Sequence, residues 1–359
     1  MDKRPVLYVV STSGGKDSAA TLALAFERAG TEAWRVVPIF CDTGNEHEAV
    51  YAYLDYLERR FDCRILRLTS GFAEEIAHKR NFIARDVRSG RTYSTRSVFE
   101  ADGKTPVPKR DGRGRIVLTG KGKPMQKTVK IGGGRRVRWT NKAKRRALAV
   151  LYPSGNPYLD LCMWKGRFPS RKAQFCTEHL KRNLAVDFQL SVAALGFRVI
   201  SWQGVRRDES LNRRHAKKFE TIGAGIYAYR PLVEWSAADV FAYCARCGVE
   251  PNPLYLQGMG RVGCMPCINA NKGELKQIAN RFPGHIDRIA EWEKLVSQAS
   301  KRQAATFIPA PGITPQQAAE NDIYSVVRWA KTTRGGKVLA PVTDADNPTV
   351  CSSSYGLCE

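Results

Sequence analysis

Short apolar runs alternate with amphipathic segments along the first 70 residues of the chain. Three runs have the length and the Val, Ile and Leu content of buried strands, and they cover residues 6–10, 34–40 and 63–68. Two segments between them, residues 18–29 and 46–60, have a helical spacing of apolar positions. Strands that alternate with helices indicate a parallel sheet with helices on both faces, joined by right-handed crossovers. The pattern therefore predicts an α/β fold with a doubly wound, mostly parallel sheet.

This alternation stops at residues 86–147, which contain few apolar side chains and many Gly, Arg, Lys and Thr. Residues 80–146 hold 21 Lys or Arg against 4 Asp or Glu, so they contribute +17 of the formal +24 of the whole chain. We expect an insertion here, either a short β-hairpin module or a partly disordered basic loop. Its charge suits a nucleic acid, DNA or tRNA, with Tyr93, Phe99 and Trp139 as faces for base stacking. A solvated loop without a specific partner would have the same composition.

The α/β pattern resumes after the insertion. Residues 197–202 predict a strand, residues 237–247 and 274–300 predict helices, and residues 251–273 predict a loop that contains two cysteines. The chain is expected to divide into a first part of the nucleotide-binding domain (1–85), the basic insertion (86–147), the remainder of that domain (148–250), and a C-terminal cysteine-containing helical region and tail (251–359).

Composition indicates where in the cell the protein is expected and which role its cysteines have. The 359 residues contain no run of 18 or more apolar positions, so no membrane span is predicted. The N-terminal segment lacks the apolar stretch of a secretory signal, so a cytoplasmic location is expected. Ten cysteines in a chain of this length favour thiols or metal ligands over disulfides.

The turn between the first predicted strand and helix reads Ser-Gly-Gly-Lys-Asp-Ser, and we call residues 13–18 the phosphate loop. Its two glycines let the backbone pass close to phosphate oxygens, and the N-terminus of the following helix presents a positive dipole to an anion. Two glycines alone would indicate only a turn, but the six residues in this order favour binding of an adenine nucleotide. The spacing of a Walker A loop is absent. The residues expected to contact the nucleotide here are Ser11, Ser13, Gly14, Gly15, Lys16, Asp17 and Ser18.

Further motifs follow the phosphate loop in an order found in a known family. The loop resembles the pyrophosphate loop of the PP-loop ATP pyrophosphatases, and the later motifs resemble those of the phosphoadenosine phosphosulfate (PAPS) reductase branch. They are a DTG motif at residues 41–44, GxRxxES at 204–210, PLxxWxxxDV at 231–240, and NPLY with GCxxC at 252–255 and 263–267. The resemblance implies an adenine nucleotide alpha hydrolase-like fold, cleavage of ATP between the α and β phosphates, and adenylylation of a substrate.

The motifs carry specific chemistry. Asp42 ends a predicted strand and either holds a hydroxyl or a magnesium ion in the ligand crevice or is a turn or cap residue. Arg206 and Arg207 either clamp a phosphate or sulfate by forked hydrogen bonds or form a solvated basic turn. With the resemblance, the residues expected to act in catalysis on ATP and Mg²⁺ are Lys16, Asp17, Asp42 and Arg206. The nucleotide site is expected to include Gly204, Arg207, Glu209 and Ser210 as well.

Cys264 and Cys267 have the CxxC spacing that grips one metal ion or one edge of a cluster. The resemblance adds Cys176, because the cluster-bearing members of the family have a cysteine near an LK or RK pair and a distant CxxC. Phe175 stands where those members have the first of two adjacent cysteines. A 4Fe-4S cluster is the expected cofactor, with structural zinc or free thiols as alternatives. The expected ligands are Cys176, Cys264 and Cys267, completed from Cys351 and Cys358, with Cys162 as a further candidate.

Three functions remain open. Reductases of the family usually depart from SGGKDS and end in an ECGLH-like tail, whereas this loop is intact and the tail reads Tyr-Gly-Leu-Cys-Glu at 355–359. The nearer resemblance is to ATP-using members such as the PP-loop proteins of DNA phosphorothioation, which implies activation of an acceptor for sulfur transfer to nucleic acid or a small molecule. The partners implied are a nucleic acid and a sulfur donor protein. The alternatives are a PAPS or APS reductase that forms sulfite with thioredoxin, and a nucleic-acid-binding protein with a regulatory nucleotide site.

Overall fold

A six-stranded sheet forms the centre of the protein. The computed structural model describes residues 4–87, 95–131, 139–210, 213–309 and 321–333. Its strands are β1 (Val6–Ser11), β2 (Val36–Asp42), β3 (Leu66–Thr69), β4 (Thr95–Ser97), β5 (Thr128–Lys130), β6 (Arg198–Trp202), β7 (Phe219–Gly223) and β8 (Ile226–Tyr229). The central sheet has the order β3-β2-β1-β6-β8-β7, and β7 is its antiparallel edge strand. Strands β4 and β5 form a separate antiparallel pair.

Helices precede and follow these strands along the described chain. They are α1 (Lys16–Ala29), α2 (Glu48–Phe61), α3 (Ala73–Arg85), α4 (Asn141–Val150), α5 (Pro157–Lys165), α6 (Phe175–Thr177), α7 (Asn183–Ala194), α8 (Ala237–Arg246), α9 (Pro253–Leu256), α10 (Lys272–Arg281), α11 (Pro283–Ala299) and α12 (Ile323–Lys331). A π-helical turn, Glu178–Arg182, joins α6 to α7. Within the described residues, no helix is both long enough and apolar enough to cross a membrane.

Both faces of the sheet are covered. On one face, Val9 and Ile39 pack with Val192 of α7. On the other face, Leu22 of α1 and Leu54 of α2 belong to the main core, which also includes residues of α8. Strands buried on both faces are nearly continuous apolar runs, as the sequence pattern has them. The predicted doubly wound, mostly parallel α/β fold is confirmed.

Two features differ from the sequence pattern. Residues 274–300 were expected to be one helical stretch, but α10 and α11 are separate because Pro283 starts α11. Proline lacks the N–H that would continue a helix and is favoured at the first helical position. The hairpin of β7 and β8 was not anticipated, and it adds two strands beyond β6.

Within the insertion, residues 95–131 form a set of β-hairpins, and α4 begins before the predicted end of the insertion at residue 147. β4 and β5 pair at its base, and three further turns are closed by isolated bridges that join Phe99 to Pro106, Arg110 to Ile116 and Leu118 to Pro124. Each turn contains a glycine with positive φ, at Gly103, Gly114 and Gly122. We call residues 95–131 the hairpin module. Its 10 Lys or Arg exceed its 3 Asp or Glu by 7, so much of the positive charge of the insertion is held on ordered hairpins.

Trp139 does not offer a free face for base stacking. Its side chain is 4% exposed and belongs to the main core, with Lys301 placed over its ring. Phe99 is about half exposed, as expected, and Tyr93 lies outside the described residues.

Candidate functional site

Three loops meet at the carboxyl edge of the sheet, around the point where the strand order reverses. The phosphate loop follows β1, residues 43–46 follow β2, and residues 203–210 follow β6. β1 lies between β2 and β6, so all three loops leave neighbouring strands on the same edge. Ligands of open α/β sheets bind outside the carboxyl ends of the strands at such a point. The residues predicted for the nucleotide site are thus brought to one edge of the sheet.

Two glycines make the start of α1 compact. Gly14 has φ +80°, and a Cβ at this position would lie 2.9 Å from Cγ1 of Val50. Gly204 lies against the first turn of α1, where a Cβ would be 2.9 Å from the backbone carbon and oxygen of Asp17. Gly15 is the N-cap of α1, and no side chain caps this end of the helix by a hydrogen bond. A helix N-terminus of this kind is suited to an anion.

A buried ion pair ties the phosphate loop to the segment after β6. Nε of Arg206 donates to Oδ1 of Asp17 at 2.8 Å, and the two side chains are 5% and 1% exposed. Arg206 also pairs with Asp208, and Nζ of Lys16 lies 3.4 Å from Oδ2 of Asp17. Burial lowers the pKa of Arg206, but Asp17 and Asp208 outweigh it and raise the pKa above its ordinary value. Asp17 therefore holds two cations in place at the start of α1.

The serines of the phosphate loop are linked to one another. Oγ of Ser13 donates to Oγ of Ser18 at 3.2 Å, and Oγ of Ser18 donates to the carbonyl of Gly15 at 2.9 Å. Ser11 is buried at the end of β1. These contacts hold the backbone of the phosphate loop in its observed shape.

Three further side chains of the segment after β6 differ in their partners. Arg207 is exposed and donates to the carbonyl of Ala216, and it also pairs with Glu234. Glu209 pairs with Arg213, although burial raises the pKa of Glu209 above its ordinary value. Among the described residues, the buried Oγ of Ser210 has no hydrogen-bond partner, so its hydrogen-bonding capacity is unused.

Asp42 is part of a turn at the end of β2. Its Oδ1 accepts from the backbone N–H of Gly44 at 2.9 Å and from the hydroxyl of Tyr51 at 2.8 Å. Burial raises the pKa of Tyr51, and Glu46 and Asp42 raise it further, so the hydroxyl stays a donor. Asp42 is half-buried, and its carboxylate is part of the turn geometry.

The loop that carries the CxxC motif packs on this turn. Glu46 forms a β-bridge with Cys264, and the N–H of Met265 donates to the carbonyl of Asn45 at 2.7 Å. Sγ of Cys264 lies 3.5 Å from Oγ1 of Thr43 and 3.6 Å from Oε1 of Glu46. The cysteine loop and the DTG turn therefore form one continuous surface at the carboxyl edge of the sheet.

Three of the candidate metal ligands, Cys176, Cys264 and Cys267, lie within the described residues. They lie around two cationic side chains. Lys181 is buried and interacts electrostatically with all three thiols. Arg261 is partly buried, interacts electrostatically with Cys264 and hydrogen-bonds to Cys267. Burial raises the pKa of the Cys176 and Cys264 thiols to about 12. These thiols are therefore protonated on their own, and a metal has to displace their protons when it binds.

Two more side chains, Cys162 and Tyr158, lie around the three thiols. Cys162 is fully buried and interacts with Cys176. Tyr158 interacts with Cys162, Cys176, Cys264 and Cys267, and its buried hydroxyl has no hydrogen-bond partner among the described residues. Such a set fits a metal ion or cluster bound by thiolates, because the sulfurs can bind it, and the cations and the free hydroxyl donor can offset the negative charge of the thiolates. The other two predicted ligands, Cys351 and Cys358, lie outside the described residues.

Sequence reasoning assigned no role to the NPLY motif, and two of its residues contact the phosphate loop. The hydroxyl of Tyr255 accepts from the N–H of Lys16 at 3.1 Å, and Nδ2 of Asn252 donates to the carbonyl of Gly14 at 3.1 Å. The motif was visible in the sequence, but its contact with a loop more than 200 residues away was not.

A second cluster was also missed. His47, Glu48 and His285 place one ligand atom each within 4.8 Å of one another. Nδ1 of His47 accepts from the N–H of Ala49, and Nη2 of Arg288 lies 2.9 Å from Nδ1 of His285. Both rings are thus held by hydrogen bonds, and a cation lies next to them. The two histidines are far apart in sequence, so no local spacing indicated them.

The whole chain matches a relative from a phage. A protein of Escherichia phage 186, described only by its size of 37.8 kDa, is 40% identical over 367 residues, which covers 98% of this chain and 97% of that protein. An adenosine 5'-phosphosulfate reductase of Burkholderia cepacia is 36% identical over 119 residues, which covers 32% of this chain and 44% of the reductase. A solved structure, the PAPS reductase of Candida auris in a phosphate complex, is 14% identical with a TM-score of 0.35, and the match covers 72% of this chain and 82% of that one.

The family itself follows from the motifs and from a family model. The model of the phosphoadenosine phosphosulfate reductase domain matches residues 7–93 and 177–270, which leaves out most of the insertion. These two segments contain the phosphate loop, the DTG turn, the segment after β6 and the CxxC loop. The chain is a member of the phosphoadenosine phosphosulfate (PAPS) reductase domain family, within the PP-loop superfamily.

Proposed function

We propose that this protein binds ATP with Mg²⁺ at the phosphate loop and transfers AMP to an acceptor, which is thereby activated for sulfur transfer. A nucleophilic oxygen or nitrogen of the acceptor attacks the α-phosphorus, the bond to the β-phosphate oxygen breaks, and pyrophosphate leaves. The observation that carries this proposal is the complete SGGKDS loop at the N-terminus of α1, with Lys16 and Arg206 both held by Asp17. Such a cluster of positive charge suits the pyrophosphate of ATP, which a sulfonucleotide lacks.

Each part of the site has a role in this reaction. Gly14 and Gly15 let the phosphates approach the backbone, and Lys16 offsets the charge that develops on the leaving pyrophosphate. Arg206 binds a phosphate oxygen through a guanidinium that Asp17 orients. Asp42 binds Mg²⁺ or a ribose hydroxyl, and Ser210 donates to the nucleotide.

The cysteines form the second centre of the proposal. Cys176, Cys264 and Cys267 hold a 4Fe-4S cluster or, as the alternative, a zinc ion, and Cys162, Cys351 and Cys358 are the candidates for the fourth ligand. Lys181 and Arg261 offset the negative charge of the thiolates. When bound, a cluster would supply a site for sulfur or electron chemistry beside the DTG turn, since Cys264 contacts that turn directly. The sulfur comes from a separate donor protein.

The acceptor is proposed to be a nucleic acid, DNA or tRNA, that contacts residues 80–146. The net charge of +17 in this segment supports the proposal, because a phosphate backbone binds such a surface with release of counterions. A small-molecule acceptor remains the alternative within the same reaction type.

A second candidate function is reduction of a sulfonucleotide to sulfite by the dithiol of thioredoxin. The partial match to adenosine 5'-phosphosulfate reductases favours it. Its nucleophile would have to come from the tail cysteine, Cys358, which lies outside the described residues.

Incubation with α-labelled ATP tests the proposal. In the presence of single-stranded DNA or tRNA, we expect labelled AMP on the acceptor, or free AMP once that adduct is broken, and an equal amount of unlabelled pyrophosphate, which is assayed separately. Lys16→Ala should give at least 100-fold less of both products, and Arg59→Ala, at an exposed residue of α2, should leave the yield unchanged. Absence of AMP and pyrophosphate under every condition would contradict the proposal.

Release of sulfite from PAPS or APS with thioredoxin, lost in Cys358→Ser, would establish the reductase instead. Salt-sensitive binding of nucleic acid without turnover would indicate a binding protein with a regulatory nucleotide site.

A further inference from the structure

A cavity of about 600 Å³ lies at the root of the insertion, away from the phosphate loop. Residues of α3 and the C-terminal ends of α5 and α11 line it, and Trp139, the first described residue after the hairpin module, belongs to its wall. We propose that this cavity binds a segment of single-stranded nucleic acid, with a base inside it and the backbone phosphates at its rim. This inference deepens the proposed function, because it rests on a nucleic acid being the acceptor.

The charge of the cavity supports an anionic ligand. Five cationic side chains line it, and none of its lining residues is acidic. The five are Lys79, Lys165, Arg167, Lys301 and Arg302. Burial lowers the pKa of Lys79 to about 8, and repulsion from Lys301 contributes to the decrease. The ammonium of Lys79 is anchored to the carbonyls of Met163 and Trp164, so this positive charge is fixed in the wall.

Aromatic side chains give the cavity faces for bases. Trp164 stacks on Phe72 with ring centroids 5.7 Å apart, and Nζ of Lys165 lies over the Trp164 ring, 3.6 Å from its centroid. Phe82 is 48% exposed at the mouth. A base that stacks on Trp164 takes the position of the Lys165 ammonium, which is then free to pair with a phosphate. Stacking of this kind accepts any base, and it requires bases that are not paired in a duplex.

A second cavity extends the proposed binding surface along α3. A neighbouring cavity of about 480 Å³ shares His78 and Phe82 with the first and includes Arg85. Both cavities lie along α3, the helix that leads into the insertion. A strand bound in the aromatic cavity can therefore also contact α3, the helix that precedes the insertion. A duplex is too wide to place a base in such a cavity without opening.

Fluorescence anisotropy with a labelled 12-nucleotide single strand, in the absence of ATP, tests the charge. Lys165→Ala combined with Arg302→Ala is expected to weaken binding at least 10-fold and to reduce the slope of log K against log salt by about 1.4, since each of the two lost phosphate contacts accounts for about 0.7. The matched control, Arg59→Ala with Lys276→Ala, removes the same charge from exposed sites outside the cavity and should bind like the wild type. Equal affinity of the two double variants would overturn the proposal.

A second pair of variants tests stacking. Phe82→Ala is expected to weaken the single strand by about 10-fold, and Trp34→Ala, which removes another exposed aromatic ring, should leave affinity unchanged. The cavity is refuted if a duplex of the same length shows the same losses, or if free AMP or phosphate displaces the strand at micromolar concentration. Because binding is measured without ATP, the outcomes separate. If the protein forms AMP but binds no single strand in this cavity, the proposed function stands and the cavity proposal fails. If it binds the strand in this cavity but forms no AMP, the cavity proposal stands and the proposed function fails.

Discussion

Arg206 and Asp17 are charged, almost fully buried, and joined to each other. Removal of one partner from a buried pair leaves a charge without compensation, whereas removal of both costs much less. The sequence motifs indicated both residues, but not that they are partners, because 189 positions separate them. The pair therefore has a structural effect that is separable from any role in catalysis.

We expect Arg206→Gln to lower the free energy of unfolding by about 3 kcal/mol, because the Asp17 carboxylate is left buried without its guanidinium. The double variant Asp17→Asn with Arg206→Gln should recover at least half of this loss. Urea denaturation gives the three values, and Arg207→Gln, at an exposed position, serves as control with a change below about 0.5 kcal/mol. Strictly additive losses would show that the two side chains are not coupled.

Glu293 gives the protein a pH dependence of its own. Burial raises the pKa of this carboxyl to about 7, although it accepts hydrogen bonds from the N–H groups of Phe307 and Ile323 at 2.7 and 2.8 Å. A carboxyl whose pKa is raised on folding stabilises the fold at low pH and loses this contribution as pH rises through the folded value. We expect the wild type to lose about 3 kcal/mol relative to Glu293→Gln between pH 4.5 and 7, at about 1.4 kcal/mol per unit of pKa. Chemical denaturation at several pH values measures it, and parallel curves for the two proteins would contradict it.

The cysteines allow a test of the metal centre. Cys176→Ser, Cys264→Ser and Cys267→Ser should each lower the iron, or zinc, that copurifies under anaerobic conditions to below half of the wild-type content. Cys63→Ser is the control, because Cys63 stands apart from these residues before β3. An assay of iron, sulfide and zinc gives the result. A colourless wild type without metal would remove the metal centre from the proposal.

At the scale of elements, the segment from α6 to α7 contains a feature that the sequence pattern did not predict. The sequence indicated that the α/β pattern resumes near this segment, and the family resemblance indicated Cys176. The π-helical turn Glu178–Arg182, which contains the buried Lys181, was not predictable, because a π turn has no reliable local signature. A lysine would ordinarily be expected at the surface, and only the tertiary structure shows that three thiols surround it.

The approach of β6 to α1 gives an element-scale prediction. Gly204→Ala places a methyl group 2.9 Å from the backbone of Asp17, so α1 or the segment after β6 has to move. We expect at least 10-fold weaker binding of ATP and a loss of about 1–3 kcal/mol in unfolding free energy. Isothermal titration with ATP measures the first effect, and Gly260→Ala, which meets no atom within 4 Å, should change neither.

For the whole molecule, the parallel part of the fold could be predicted and the long-range assembly could not. Once β1, β2 and β6 are parallel strands of one sheet, the loops after them must share an edge, so the position of the candidate nucleotide site follows from the sequence pattern. The order β3-β2-β1-β6-β8-β7 and the cavity formed by α3, α5 and α11 depend on contacts between distant segments. Periodicity reports only which face of an element is buried, not what covers it.

Replacement of residues 95–131 by a short Gly-Ser linker is the prediction for the whole molecule. The hairpin module is largely exposed, so we expect the Tm to change by less than about 4 °C. Binding of single-stranded DNA should weaken at least 10-fold with a smaller dependence on salt. Substitution of Lys104, Arg113 and Lys121 by Ser keeps the hairpins and isolates the effect of charge. Unchanged DNA affinity in both proteins would exclude the module as a binding surface.

The contact between α3 and α4 has a consequence for how this protein diversifies. The chain leaves the core at the end of α3 and returns at the start of α4, and the two helices pack against each other. Arg80 donates to the carbonyls of Leu148 and Leu151, and Lys144 donates to the carbonyl of Asp86, so the exit and return points are clamped together. Whatever lies between them can be lengthened, shortened or exchanged without displacing the sheet. Under the proposed function, a lineage of such proteins can acquire new acceptors by replacing one appendage while the phosphate loop stays as it was.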